Sequence, residues 1–254
     1  MQEKSKPVDN LRADAEKIIM RAIAAVLPDA TVERALKGKT FLGRVCLVAA
    51  GKAAWQMAHA ARACLQDNFC GGVVVTKYGH VKDEIANVAC FEGGHPVPDE
   101  NSLRGTDAAL ALTEDLTESD TVVFLLSGGG SALFEKPLLP LAELQDVTNQ
   151  LLAAGADIVE INTIRKRLSA VKGGRFARHC APAQVFAVVL SDILGDPLDM
   201  IASGPAYPDS SSCAQALDIA KRYGLRLSER AWALLAQETP KTLTNVETQI
   251  TGSV

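Results

Sequence analysis

The sequence predicts an α/β domain with a mostly parallel sheet and helices on both of its faces. Short strand-like apolar runs alternate with longer segments of helical periodicity along the 254 residues. The strand-like runs are continuously apolar rather than alternating, which is typical of strands buried on both faces. Alternation of such strands with helices favours a doubly wound, Rossmann-like fold.

The first half of the chain shows these elements in order. The predicted helices cover residues 8–27, 53–65 and about 103–116, and the predicted strands cover residues 45–50 and 72–76. Pro28 ends the pattern of the first helix. Asn101 or Ser102 is expected to be the N-cap of the third helix, because both side chains can accept a backbone N–H bond.

The second half continues the alternation. Its predicted strands cover residues 121–126 and 184–190, and its predicted helices cover residues 141–154, 160–171 and 213–223. A helix over residues 160–171 would stop at the Gly173-Gly174 pair. Strand-like residues return near the end of the chain, in residues 245–254.

Composition excludes several classes of function. A formal net charge of −4 and a pI of about 5.6 make the chain a poor nucleic-acid binder. The N-terminus has no apolar signal core, and no apolar run approaches the ~20 residues that cross a bilayer. We therefore expect a cytoplasmic protein without membrane contact. Six cysteines form no CxxC pair, so we expect mostly buried, reduced thiols rather than a zinc site.

Ligands of open α/β sheets bind beyond the carboxyl ends of the strands, so the residues after each strand are candidate site residues. Gly51 and Lys52 follow the first strand and lead straight into a helix. Because the helix dipole disfavours a cation there, Lys52 is predicted to face an anionic ligand, although a solvated turn lysine fits equally well. A P-loop is excluded, because Cys46 stands where its motif requires glycine and Ala53 stands where it requires serine or threonine.

A glycine-rich loop follows the strand at 121–126. It consists of Ser127, Gly128, Gly129, Gly130 and Ser131. Successive glycines let backbone N–H groups converge on an anion, and the hydroxyls add donors, so the loop predicts a phosphate or carboxylate site. The alternative is a tight strand-to-helix turn. The loop fits the dinucleotide fingerprint poorly, because Leu133 stands where a third glycine is required.

Aspartates follow the strand at 184–190. Carboxylates at the end of a buried strand are costly unless they are hydrated, paired or bound to a cation. Mg²⁺ takes one or two carboxylates together with substrate phosphates. Asp192 is therefore the first candidate metal ligand and Asp196 the second, although Asp196 could instead cap a helix. Residues 202–205 add another hydroxyl–glycine turn on this side.

Further cations come from a segment without acidic residues. Between residues 161 and 191 its six cations are Arg165, Lys166, Arg167, Lys172, Arg175 and Arg178. Arg165 and Lys172 would share one helical face and are the candidate anion-binding pair, whereas Lys166 and Arg167 are expected on solvated surface. His95 is a last candidate, because it lies in a rigid loop between two glycines and a proline. Together these features match phosphoryl transfer, which depends on charge neutralisation and positioning.

Four long motifs resemble those of one family. They are GGHPVPDENSLRGT, LLSGGGSALFEKP, EINTIRKRLSAVKGGRFA and SDILGDPLDMIASGPAYPDSSS, and their order is similar to that in the glycerate 2-kinase family. Members of that family carry a C-terminal MOFRL domain and were often named hydroxypyruvate reductases. The resemblance extends from about residue 10 to the end of the chain.

The resemblance implies ATP-dependent phosphorylation of D-glycerate to 2-phosphoglycerate in a cleft between a Rossmann-like N-terminal domain and the MOFRL domain. It matches Lys52 to an active-site lysine, the glycine-rich loop to that of the family, and Asp192 and Asp196 to its SDxxGD element. ATP, Mg²⁺ and D-glycerate are then the expected ligands. The resemblance leaves open whether the protein forms a homodimer. Residues 1–254 would be the N-terminal domain alone, and therefore an impaired kinase without the second domain and its essential arginine.

Two alternatives stay open. One is an NAD(P)H-dependent hydroxypyruvate reductase, which requires the dinucleotide fingerprint that the glycine-rich loop lacks. The other is a non-catalytic fragment that keeps the fold and its ligand affinity.

For the kinase, Lys52 would neutralise charge on the transferring phosphoryl group and Asp192 would hold Mg²⁺. The loop would bind either an ATP phosphate or the glycerate carboxylate.

Overall fold

The computed structural model describes residues 8–191, 195 and 197–251. Its helices are α1 Val8–Val26, α2 Pro28–Leu36, α3 Ala54–Cys64, α4 Glu100–Leu112, α5 Gly130–Leu133, α6 Leu141–Ala153, α7 Ile158–Arg167, α8 Arg175–Cys180, α9 Cys213–Arg222 and α10 Glu229–Leu235. Its strands are β1 Val45–Ala50, β2 Phe69–Lys77, β3 Val88–Gly93, β4 Thr121–Ser127, β5 Gln184–Leu190 and β6 Val246–Thr251. A single 3-10 turn covers Ile201–Ser203.

The six described strands form one parallel sheet in the order β3-β2-β1-β4-β5-β6. This confirms the predicted doubly wound class. The chain moves outward from β1 to β3 and then crosses back to β4, which pairs with the other side of β1. A crevice therefore opens beyond the carboxyl ends of β1 and β4, where the strand order reverses, and such crevices bind ligands in this architecture.

Both faces of the sheet are covered, because alternate side chains of each strand enter different cores. Leu47 and Val123 pack with α2 and α3 on one face. Val48 and Phe124 pack with α4, α5 and α8 on the other. A third apolar cluster joins α6, α7, α9 and α10 beside the sheet. In contrast, the apolar side of α1 stays exposed, and no described helix is long and apolar enough to cross a membrane.

Asp120 links the amino ends of the two central strands. Its carboxylate accepts hydrogen bonds from the Arg44 backbone N–H at 2.7 Å and from the Arg44 guanidinium at 2.9 Å. It also accepts from the Thr117 backbone N–H at 2.8 Å and from the Thr117 hydroxyl at 2.9 Å. The Arg44 guanidinium, assisted by these N–H donors, outweighs burial and holds the pKa of Asp120 well below its usual range.

Asp120→Asn is expected to lower the free energy of unfolding at pH 7 by about 1–3 kcal/mol, because charge-assisted hydrogen bonds are lost in a buried site. The folded pKa is depressed, so the stabilisation is present above about pH 4 and lost as the pH falls toward the folded pKa. Urea unfolding at pH 7 and pH 3 should therefore show a difference between variant and wild type that shrinks in acid.

Asp107→Asn is the control for Asp120→Asn, because its ion pair with Lys136 is exposed and should contribute little. An equal loss in both variants would contradict the role of Asp120. So would a difference from wild type that is unchanged between pH 7 and pH 3.

Three predicted helix ends were wrong. The third predicted helix, expected to end near residue 116, ends at Leu112 as α4. Asp99, not Asn101 or Ser102, caps α4, and its side chain accepts the Ser102 backbone N–H at 3.0 Å in a capping box. The helix predicted over 160–171 ends at Arg167 as α7. The chain leaves the helix because the Leu168 carbonyl accepts from Leu138 N at 2.8 Å and Ala170 N donates to Lys136 O at 2.8 Å.

Four further elements were missed, namely α2, β3, α8 and α10. Pro28 ends one helical pattern, yet it also begins α2 within the first turn, where a missing N–H has no cost. The edge strand β3 was not predicted, because its residues are mostly half-buried and partly polar rather than continuously apolar. α8 and α10 are short and were also not predicted.

Candidate active site

The ends of β1 and β4 are joined by the residues predicted to bind an anion. Lys52 N donates to the Gly128 carbonyl at 2.9 Å, and Ala53 N donates to the Ser127 hydroxyl at 3.0 Å. Gly51 has a φ of 123°, and a Cβ at this position would clash with the backbone of Ser127. Glycine is therefore required for the two strand ends to approach this closely.

The backbone of Lys52 is also fixed from the side of β2. The Thr76 hydroxyl donates to the Gly51 carbonyl at 3.0 Å. The ring Nδ1 of His80 donates to the Lys52 carbonyl at 2.8 Å. The main chain at Lys52 is thus held by neighbours on both sides, whereas its side chain is exposed at the crevice.

His95 lies against the glycine-rich loop, beside Lys52. Gly129 has a left-handed φ of 89°, and a Cβ there would lie 3.0 Å from His95 Nε2 and 3.1 Å from Lys52 Cγ. Three residues predicted separately, from three different loops, therefore meet at one point. Glycine at position 129 leaves the space in which the imidazole and the lysine stem approach the loop.

Among the described residues, no carboxylate pairs with the lysine side chains at this point. Burial, followed by the charges of Lys52 and Lys77, lowers the pKa of His95, so the imidazole favours its neutral form. Within residues 8–191, 195 and 197–251, neither lysine side chain has a carboxylate or hydrogen-bond partner. Lys77, the last residue of β2, was missed by sequence reasoning, although it also follows a strand-like run. This charge favours an anionic ligand, and anion binding here stays a prediction.

The loop itself also offers donors. The backbone N–H groups of Gly129, Gly130 and Ser131 have no acceptor among the residues that the structure describes. They follow β4 directly and lie in the same crevice as Lys52. Free N–H groups in a glycine-rich turn can form an anion-binding concavity, and the phosphate or carboxylate site stays a prediction.

Lys172 and Arg165 both contact the last residue of the glycine-rich loop, Ser131. The fully buried Lys172 ammonium donates to the carbonyls of Ser131 and Phe134, both at 2.9 Å. Arg165 donates to the same Ser131 carbonyl at 2.8 Å, and both cations lie within 3.4 Å of the buried Glu135 carboxylate. Burial lowers the pKa of Lys172 to about 8, although Glu135 opposes this effect.

The expected arrangement of these two cations was therefore wrong, because Lys172 lies beyond the end of α7 and is not on its face. The pair nevertheless converges on one carbonyl, by two separate segments of chain. This geometry favours support of the loop, and direct contact of either side chain with a ligand stays a prediction. Glu135 was missed, since a lone glutamate in sequence gives no sign that it is buried.

Lys166 and Arg167 were expected on solvated surface, and this was wrong. Both side chains are buried. Lys166 Nζ lies 3.0 Å from Asp209 and 3.3 Å from Asp199, and Arg167 donates to the Ser211 hydroxyl at 2.9 Å. Buried charges need such partners, so these cations anchor the segment at 209–211 to α7 rather than face solvent.

The turn at 201–204 packs over the glycine-rich loop. The Ser203 hydroxyl lies 3.3 Å from that of Ser131 and donates to Asn162 Oδ1 at 2.8 Å. Ala202 and Ser203 have left-handed φ values of 50° and 63°. Such conformations in non-glycine residues cost about 1–3 kcal/mol each and cluster at ligand sites. The predicted hydroxyl–glycine turn thus does lie beside the loop.

Asp192 and Asp196 lie outside the described residues, so the predicted Mg²⁺ site stays a prediction. Among the residues that are described, no three His, Cys, Asp or Glu side chains form a group that could hold a metal ion. The nearby Asp199 carboxylate already has two partners, because it accepts hydrogen bonds from the Lys166 ammonium and, at 2.6 Å, from the Ser210 hydroxyl.

Comparisons with known proteins give the family of the chain. The family model DUF4147, described as a domain of unknown function, matches residues 14–236. The chain is 53% identical over 248 residues to the D-glycerate 2-kinase of Thermotoga maritima. The alignment covers 97% of this chain and 59% of that protein. Human glycerate kinase is 39% identical over 244 residues, covering 85% and 47%.

A solved structure gives the same result. The crystal structure of Thermotoga maritima glycerate kinase matches with a TM-score of 0.91 at 52% identity, covering 95% of this chain and 59% of that one. The chain thus spans 47% to 59% of the length of these relatives. The resemblance seen in the motifs is confirmed: the chain belongs to the glycerate 2-kinase family, within its DUF4147 domain.

Proposed function

We propose that the protein is an ATP-dependent D-glycerate kinase that forms 2-phosphoglycerate, and that phosphoryl transfer takes place in the crevice beyond β1 and β4. The observation that carries the proposal is the Lys52 ammonium, which has no partner among the described residues and lies beside the glycine-rich loop at the reversal of strand order. A free cation and free N–H donors are the elements that phosphoryl transfer requires. The kinase names of the relatives support this choice.

Each group has a role in the proposal. Lys52 neutralises charge on the transferring phosphoryl group, and the N–H groups of Gly129, Gly130 and Ser131 bind either an ATP phosphate or the glycerate carboxylate. The neutral His95 ring is placed to accept a hydrogen bond from a substrate hydroxyl. Lys172 and Arg165 hold the Ser131 carbonyl and so keep the loop in shape.

Mg²⁺ would neutralise further phosphate charge when bound. Asp192, supported by Asp196, is the pair that the sequence offers for it. We also propose that residues 1–254 form one wall of the cleft and that a MOFRL domain supplies the other. On that basis residues 1–254 by themselves should turn over more slowly than a protein that contains both domains.

A hydroxypyruvate reductase is the second candidate, and the structure gives it little support. Leu133, which stands where the dinucleotide fingerprint requires glycine, is fully buried in the core that contains Phe124 and Phe176. The fingerprint requires glycine at this position so that the helix can pack closely against the strand, and a buried leucine side chain prevents that close packing. The kinase is therefore the preferred assignment.

Parallel assays decide between the two activities. One contains ATP, Mg²⁺ and D-glycerate with ³¹P NMR of the product, and the other contains NADH and hydroxypyruvate. We expect 2-phosphoglycerate from a protein with both domains and much less from residues 1–254. NADH oxidation without ATP turnover would overturn the kinase, and full turnover by residues 1–254 would overturn the two-wall cleft.

A further inference from the structure

Two cysteines approach each other at the amino ends of β1 and β2, far along the sheet from the crevice. In the strand register Val45 pairs with Phe69 and Cys46 pairs with Gly71, so Cys70 is the extra residue of a β-bulge. A bulge redirects a side chain locally. Here it brings the Cys70 sulfur to 2.8 Å from the Cys46 sulfur.

The two thiols differ in accessibility. Cys46 is buried, whereas Cys70 is exposed, contrary to the expectation of mostly buried thiols. Burial, together with the neighbouring Cys70, raises the pKa of Cys46, so this thiol stays protonated at neutral pH. Cys70 is therefore the sulfur that an oxidant in solvent reaches first, and Cys46 is the partner behind it.

The strands on either side hold this pair in place. The Cys70 thiol donates to the Val45 carbonyl at 3.2 Å, and the Cys46 sulfur lies 3.8 Å from the Leu112 carbonyl. Both cysteines lie on neighbouring strands of the central sheet, so the backbone there is fixed by its ladder. Closure of an S–S bond of about 2.05 Å needs the sulfurs to move only about 0.8 Å.

We infer that Cys46 and Cys70 are an oxidisable pair that forms a disulfide between β1 and β2 when the protein meets hydrogen peroxide. Peroxide first converts the Cys70 thiol to a sulfenic acid and releases one water. The Cys46 thiol then passes its proton to the departing hydroxyl as its sulfur attacks the Cys70 sulfur, so that the S–S bond forms and the S–O bond breaks with loss of a second water. Two thiols and one peroxide thus give one disulfide and two waters.

The disulfide should stabilise the fold without changing the crevice. It would close the chain segment from Cys46 to Cys70, which restricts the unfolded chain and raises the melting temperature by about 5–10 °C. The bond lies at the amino ends of the strands, whereas Lys52 and the glycine-rich loop lie at their carboxyl ends. Ligand binding should therefore be the same in the oxidised and reduced proteins, which makes the inference independent of the proposed function.

The test treats the reduced protein with stoichiometric hydrogen peroxide and then counts free thiols, maps peptides by mass spectrometry and measures the melting temperature. We expect a loss of two of the six thiols, a peptide pair joined through Cys46 and Cys70, and a melting temperature that returns to its start with dithiothreitol. Cys70→Ser should abolish all three changes, and Cys64→Ser, an exposed thiol elsewhere, should leave them intact.

Cys70→Ser is the informative variant because Cys70 is exposed, whereas a serine at the buried Cys46 position would also disturb the core. Six free thiols after treatment, a Cys70 that stops at the sulfenic acid, or a joined pair that leaves the melting temperature unchanged would each overturn the inference. So would an oxidised Cys70→Ser protein that still gains the stabilisation.

Discussion

Lys52→Ala is expected to lower kcat for D-glycerate phosphorylation by about 10²–10³-fold, the usual effect of removing one group that stabilises transition-state charge. The reason is that the Lys52 ammonium reaches the crevice without a carboxylate partner among the described residues, so its charge is available to the phosphoryl group. The measurement is the steady-state kinetics of D-glycerate phosphorylation. It uses a protein that contains both domains, or residues 1–254 if they are active.

Two further readouts separate catalysis from general damage. Lys221→Ala is the matched control, since this lysine is exposed on α9 and should leave kcat unchanged. NMR titration should show a higher pKa for His95 in Lys52→Ala, because the lysine charge helps to lower it. A change confined to the KM for D-glycerate would instead make Lys52 a substrate-binding residue and contradict its role in transfer.

Gly129→Ala is expected to lower kcat/KM by about 10²-fold, the cost of a displacement of about 1 Å among catalytic groups. The added Cβ would lie 2.9 Å from His95 Cδ2 and 3.1 Å from Lys52 Cγ, so one of these side chains must move. The left-handed φ of 89° adds strain for any residue with a Cβ. Kinetics and thermal unfolding of the variant test both effects.

Gly155→Ala is the matched control for Gly129→Ala. Gly155 also has a left-handed φ, of 78°, yet a Cβ there would meet nothing within 4 Å. Both variants should therefore lose the stability that a left-handed φ costs, Gly129→Ala should lose more because of its contacts, and only Gly129→Ala should lose activity. Equal activity in the two variants would show that the close approach of His95 and Lys52 to the loop is not needed.

The strands were predictable because burial on both faces leaves a continuous apolar run in the sequence, as in β1 and β4. The edge strand β3 was not predicted, because it contains Glu92 and its other residues are mostly half-buried rather than continuously apolar. The helix α2 was missed because proline usually ends a helical pattern, whereas Pro28 also suits the first turn of the next helix.

The candidate site was partly predictable for a topological reason. Lys52 and the glycine-rich loop each follow a buried parallel strand, and such strand ends meet at one edge of a sheet. The places of Lys172 and Lys166 were not predictable, because burial of a cation depends on partners distant in sequence, such as Glu135 and Asp209. The Cys46–Cys70 approach depends on a bulge that no local sequence signal indicated.

The most direct test of the central claim, that the crevice binds phosphate through Lys52 and the glycine-rich loop, is calorimetric titration of residues 1–254 with ATP and Mg²⁺. The account predicts binding to the wild-type chain that weakens with added salt. It also predicts affinity at least about 10-fold lower in Lys52→Ala, which corresponds to about 1.4 kcal/mol, and unchanged affinity in Lys221→Ala. Equal affinity in wild type and Lys52→Ala would contradict it.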